Sequence, residues 1–151
     1  MNDESFMAEA LAEAEKAAAA GEVPIGAVAV KDGIIVARAH NQVEKLHSVS
    51  AHAEFMLLHE LEKITGDWRM SDYTFFITKE PCPMCAGMLI NARVKRVVFG
   101  AGDPACGGMG GAFDLNQIPG LLWHCEVTSG VLSEQCLEII RNFFRKRRSE
   151  K

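Results

Sequence analysis

A chain of 151 residues is long enough for one domain with a substantial core and short for two, so a single domain over residues 1–151 is expected. With 48% hydrophobic and 24% charged residues, and no apolar run of the about eighteen residues that span a bilayer, the composition predicts a soluble globular protein without a membrane partner. A net charge of −4 argues against broad, non-specific nucleic-acid binding, and five cysteines behind an acidic start that is no export signal argue for metal ligands or free thiols in a cytoplasmic protein.

Phe6, Met7, Ala10, Leu11 and Ala14 recur at helical spacing and predict an opening helix that Gly21 stops. "IGAVAV" (25–30) and "IIVARA" (34–39) flank Asp32-Gly33, a pair suited to a two-residue turn, and predict a β-hairpin. "HAEFMLLHELEKI" (52–64) reads as a helix and "YTFFIT" (73–78) as a buried strand. "CPMCAGMLINA" (82–92) reads as a helix behind Pro81, whose missing N–H costs nothing at a helix start. "RVVFG" (96–100) is a short strand, "GDPACGGMGGAF" a glycine-rich loop, and "HCEVTSG" (124–130) a last strand before the final helix "SEQCLEIIRNFFRKRR". Strands alternating with helices behind a hairpin predict the α/β class, as a three-layer α/β/α domain on a mixed sheet of about five strands.

Two short segments carry the chemistry. Cys82 and Cys85 are three apart at a helix start, so both sulfurs share a face, and the positive helix N-terminus favours the thiolates that ligate zinc. A catalytic zinc takes three protein ligands and leaves its fourth position open. His52, in "SAHAEF", is the candidate third ligand. Glu54 lies two residues on, which in mid-helix would point it about 200° away. In a first turn both side chains can lean over the helix end, leaving Glu54 free to move protons. Taken singly, His-x-Glu is common by chance and Cys-x-x-Cys is as often redox-active or structural; it is their conjunction, each opening a helix with a strand between, that points to a metal site.

The pattern His-x-Glu…Pro-Cys-x-x-Cys is the signature of zinc nucleobase deaminases. "GEVPIGAVAV", "HNQVEKL", "SAHAEF", "TKEPCPMCAG", "RVVFGAGDP" and "FFRKRR" extend the match over nearly the whole chain, which resembles the bacterial tRNA adenosine deaminases of the cytidine deaminase-like family. That resemblance implies hydrolytic deamination of the wobble adenosine, position 34 of a tRNA, to inosine. It also implies one Zn²⁺ per subunit, a homodimer, and a tRNA anticodon stem-loop as partner. Zinc would lower the pKa of water towards neutrality, and Glu54 would relay protons to the ring and the leaving amine.

The same resemblance assigns further residues. Asn41 matches an asparagine that holds the target base; read without it, Asn41 is a turn residue. The backbone N–H of Ala53 would face the base. Asp103 matches an aspartate near the nucleotide and otherwise reads as a loop cap. In the basic ending, Phe144 would line the site while Arg145, Arg147 and Arg148 meet phosphates; without the resemblance, those arginines are a solvated helix end matched to its dipole. Three places depart from the family pattern: Ser48-Val49-Ser50 ahead of the histidine, Ala105 where a lysine is common, and Leu122-Trp123 before the last strand. The rival functions are deamination of a free base or nucleoside, of guanine or cytosine type, and an inactive zinc-stabilised RNA-binding module. The glycine-rich loop lacks the Lys-Ser/Thr ending of a P-loop.

Overall fold

Asp32 and Gly33 both take positive φ, 51° and 74°, the backbone of a hairpin turn whose twist suits the strands it joins. They connect β1 (Gly26–Lys31) to β2 (Ile34–His40) in the computed structural model, which describes residues 1–150. Ahead of the hairpin runs α1 (Asp3–Ala19), where Asn2 accepts the Ser5 N–H and Asp3 and Glu4 suit the positive helix end. After it come α2 (Val43–Leu46), α3 (Ala53–Thr65), β3 (Thr74–Lys79), α4 (Pro83–Asn91), β4 (Arg96–Ala101), a 3₁₀ turn (Leu115–Gln117), β5 (Glu126–Thr128) and α5 (Ser133–Ser149).

The sheet order is β2-β1-β3-β4-β5, antiparallel among the first three strands and parallel from β3 to β5, which makes it the mixed five-stranded sheet the sequence predicts. Register sorts the core into two layers. Val28, Phe76 and Val98 stand side by side on one face, under Phe6, Met7 and Ala10 of α1 and Cys136 of α5. Ala29, Phe75 and Val97 occupy the other face, under Leu57 and Leu61 of α3 and Leu89 of α4. Burying Phe75 and Phe76 contributes about 1.5–3 kcal/mol each. Gly26 lets α1 lie directly on β1, because a Cβ there would overlap the backbone of Ala10 and Ala14.

Several boundaries differ from the sequence reading. The fourth helix starts at Pro83, not behind Pro81: Cys82 is its N-cap and Pro83 takes the first helical position. The last strand is three residues long, not seven, since it pairs only with β4 at the sheet edge and leaves Glu126 and Val127 exposed. The short α2 carries no apolar period from which to predict it; among the described residues no helix is long and apolar enough to cross a membrane. The carboxyl end of β3 leads straight into α4, and open α/β sheets bind ligands at that end.

Candidate active site and metal centre

Helices prefer Ser, Thr, Asp or Asn at the N-cap, where an oxygen accepts an orphan backbone N–H. α3 and α4 instead start with His52 and Cys82, both in extended conformation and neither making a side-chain cap bond. Their side chains are turned to each other. His52 Nδ1 lies 3.8 Å from Cys82 Sγ and 3.4 Å from Cys85 Sγ, and all three donor atoms fall within 4.8 Å of one another. The 200° objection to His52 disappears because an N-cap residue stands outside the helical period.

One nitrogen and two sulfurs close enough to hold a metal ion form a borderline-soft donor set, the kind zinc prefers. The nitrogen–sulfur separations also match the edges, about 3.5–3.8 Å, of a tetrahedron built on zinc–ligand bonds. Three donors leave one tetrahedral position for a reactant. Without a metal the thiols divide one proton unequally. Hydrogen bonding from Cys85, helped by His52, brings Cys82 down to about 4, while its bond to Cys82 and burial push Cys85 up. Hydrogen bonding to Cys82 raises His52. A cysteine held as thiolate at neutral pH is already in the state a metal binds.

Glu54 occupies the second position of α3, 4% exposed. Burial pushes its carboxyl above the ordinary value, against the pull of its own backbone N–H and of His52. A carboxyl raised in this way exchanges a proton nearer neutrality, which suits acid–base work.

A pocket of about 390 Å³ opens beside this cluster, lined by His52 and Ala53, by Val23, Ile25 and Asn41, and by Phe143, Phe144 and Arg147 of α5. Ala53 is fully buried and opens α3, so its N–H has no intrahelical acceptor. Asn41 combines its two readings. Its Oδ1 accepts the Val43 N–H at 3.3 Å and its Nδ2 donates to Val23 O at 3.2 Å, as a turn asparagine does. One N–H and one lone pair remain at the pocket wall.

α5 divides its basic residues between two places. Arg147 lies in the pocket, donating to Gly21 O at 2.7 Å and covering the Phe143 ring at 5.0 Å. Arg145 and Arg148 line an adjoining groove of about 400 Å³ with Ile140 and Arg141, and Phe144, 43% exposed, walls both spaces. Asp103 stands outside the pocket lining. Its Oδ1 accepts the N–H groups of Ala105 and Cys106, and its Oδ2 pairs with Lys79 Nζ at 3.2 Å. Partial burial works to raise its carboxyl, yet these partners outweigh it and leave Asp103 below the usual range.

Of the departures, Ser48 and Ser50 bond each other at 3.1 Å, Ala105 sits in the Asp103 turn, Leu122 is 87% exposed, and Trp123 Nε1 donates to Val94 O. None joins the donor cluster. Sequence reasoning passed over Glu22, Lys79 and Phe143, which also line the pocket. Glu22 is buried and accepts the N–H groups of Glu44 and Lys45, fixing α2 beside Asn41. Glu22 stands in "GEVPIGAVAV", Lys79 in "TKEPCPMCAG" and Phe143 in "FFRKRR".

A layered α/β/α sheet that brings two helix starts together, with three donors close enough to hold a metal ion, a buried carboxyl beside them and a pocket walled by His52, defines a hydrolytic deaminase of the cytidine deaminase-like fold. Its relatives agree. Residues 1–148 match the family model of the MafB19-like deaminases, and the chain belongs to that family. It is 48% identical over 149 residues to a tRNA-specific adenosine deaminase of Bacillus subtilis (strain 168), covering 99% of this chain and 92% of that one. A tRNA-specific adenosine deaminase of Streptococcus pyogenes serotype M1 is 40% identical over 146 residues, covering 97% and 85%. A solved structure from work on A-to-I editing by tRNA:A34 deaminases at the wobble position superposes with a TM-score of 0.84 at 36% identity, covering 89% of this chain and 98% of that one.

Proposed function

We propose that this protein hydrolytically deaminates the wobble adenosine of a tRNA anticodon to inosine. The observation that supports the reading is the His52–Cys82–Cys85 cluster, with Glu54 against it and His52 in the wall of a base-sized pocket, in a chain similar along its length to tRNA-specific adenosine deaminases. His52, Cys82 and Cys85 would hold the metal, one Zn²⁺ per subunit. Bound there, zinc supplies Lewis acidity that makes water a nucleophile near neutral pH.

The chain's own residues do the rest. The spare N–H and lone pair of Asn41, with the Ala53 N–H, hold the edge of the adenine ring. Phe143 and Phe144, ring centroids 5.4 Å apart, wall the base and keep bulk water off it. Glu54 takes a proton from the attacking water and hands it to the ring nitrogen next to C6. It then carries a second proton to the amine, which leaves as ammonia while C6 becomes a carbonyl. Arg147 meets the backbone at the pocket, and Arg145 and Arg148 meet stem or loop phosphates along the adjoining groove. Asp103 acts at the rim through Lys79.

The homodimer expected from the resemblance belongs to this reading. Exposed Phe113, Ile118 and Leu122 are apolar surface available to it, and sedimentation velocity tests it. A tRNA substrate also fits a cytoplasmic location. The deciding experiment incubates zinc-loaded protein with an adenosine-34 anticodon stem-loop and weighs the product. Inosine, one mass unit above adenosine, is expected; deamination of free guanine or cytosine with the stem-loop untouched would replace the proposal with the free-base reading.

A further inference from the structure

Lys79 ends β3, at the carboxyl edge of the sheet, and is part of the pocket lining together with His52, Ala53 and Asn41. It is 34% exposed, and its ammonium meets Asp103 Oδ2 at 3.2 Å. That partly exposed pair adds little to stability, because water competes for both ions. What the pair does is hold a cation at a fixed place beside the pocket. Asp103 is itself fixed, its other oxygen taken by the Ala105 and Cys106 N–H groups. An ammonium has three N–H donors, and Asp103 engages one, leaving two for a ligand. The acids on the same lining do not compete for them: the buried Glu22 carboxylate bonds the N–H groups of Glu44 and Lys45, and neither Glu22 nor Glu44 pairs with Lys79 among the described residues.

We propose that Lys79 is a specificity-determining residue that donates to a phosphodiester oxygen beside the target adenosine, with Asp103 as its positioning residue. The inference rests on the substrate being RNA, as proposed above. A free base carries no phosphate and gains nothing from such a cation. A base held in a strand carries one phosphate on either side, and Lys79 makes the pocket select the strand. Arg147, held by Gly21 O and Phe143 on α5, is a second cation fixed at the same pocket by an unrelated element.

The test compares wild type, Lys79→Gln and Lys79→Arg on an anticodon stem-loop, and on two copies in which the phosphate 5′ or 3′ of adenosine-34 is a neutral methylphosphonate. Lys79→Gln is expected to raise KM about tenfold, with kcat nearly unchanged. It should also flatten the plot of log affinity against log salt by about 0.7. Lys79→Arg should keep both values near wild type. The methylphosphonate penalty at one of the two positions should vanish in Lys79→Gln, because the contact it tests is already gone. Asp103→Asn should weaken binding in wild type and add nothing to Lys79→Gln. With melting temperatures unchanged, an unaltered KM and salt slope in Lys79→Gln, or full penalties at both phosphates, would reduce Lys79 to a partner of Asp103 and overturn the inference. Wild type that forms no inosine from any stem-loop is a different result: it removes the proposed substrate, and the inference with it.

Discussion

Gly107 and Glu80 stand so close that any side chain at 107 would overlap the Glu80 carboxylate. That carboxylate is buried and accepts three backbone N–H groups, from Asp103 at 2.9 Å, Met109 at 3.0 Å and Gly111 at 2.8 Å. The glycine-rich loop thus wraps a carboxylate of its own chain where a P-loop would wrap a phosphate. It turns back over the start of α4, and Gly108 N–H donates to Pro81 O at 2.7 Å. Gly107→Ala forces that carboxylate aside and is expected to cost about 1–3 kcal/mol. Glu80→Gln, which keeps the shape and exchanges one acceptor for a donor, should cost a similar about 1–3 kcal/mol. Guanidinium denaturation reads both; unchanged midpoints would mean the loop repacks without Glu80.

Glu54→Gln keeps the volume of the side chain and removes its ability to cycle a proton. Turnover of the anticodon stem-loop should fall by about 10²–10⁴-fold, while elemental analysis finds the same zinc content and circular dichroism the same fold. Substantial activity in this variant would remove Glu54 from the chemistry.

Four of the five cysteines should separate into three groups by thiol titration. Cys106 is exposed and reacts at once in the zinc-loaded protein. Burial pushes Cys125 up to about 12 and Cys136 up to about 11, so neither reacts at pH 8 until the chain unfolds. Removing zinc with a chelator frees Cys82, whose thiolate persists well below neutral pH, and it should be the next to react. A zinc-loaded protein in which Cys82 reacts as fast as Cys106 would show that these sulfurs hold no metal.

Arg147→Ala loses the bond to Gly21 O and the cover over Phe143 as well as a cation in the pocket. KM for the stem-loop should rise about tenfold. Arg148→Ala, altering only the adjoining groove, should cost less and show its effect chiefly at low salt. Equal effects from the two substitutions would mean that the pocket and the groove are not distinct contacts.

Much of this fold is legible along the chain because its signals are local. Asp32-Gly33 demands one kind of turn, and the alternation through "YTFFIT" divides Phe75 from Phe76 between two layers. Period and turn chemistry act over a few residues, so they survive being read in one dimension. Helix starts are less legible: Pro81 and Pro83 each satisfy the rule for a first helical position, and Cys82, kept extended by the proline after it, puts the start at Pro83 while Pro81 O accepts the Gly108 N–H. β5 shrinks to three residues for a similar reason, since a strand's length depends on the neighbour it pairs with.

By itself the sequence determined the residue types of the chemistry, an imidazole, two sulfurs and a carboxyl, and put each near the start of a helix. Tertiary structure decided what those groups face. It alone folds the Asp103 carboxylate onto Lys79, sends Arg147 into the pocket but Arg148 into a groove, and makes Asn41 both a turn brace and part of a wall. Pairings between residues far apart in the chain come from the assembly of the sheet and the docking of α5, and no local pattern encodes them.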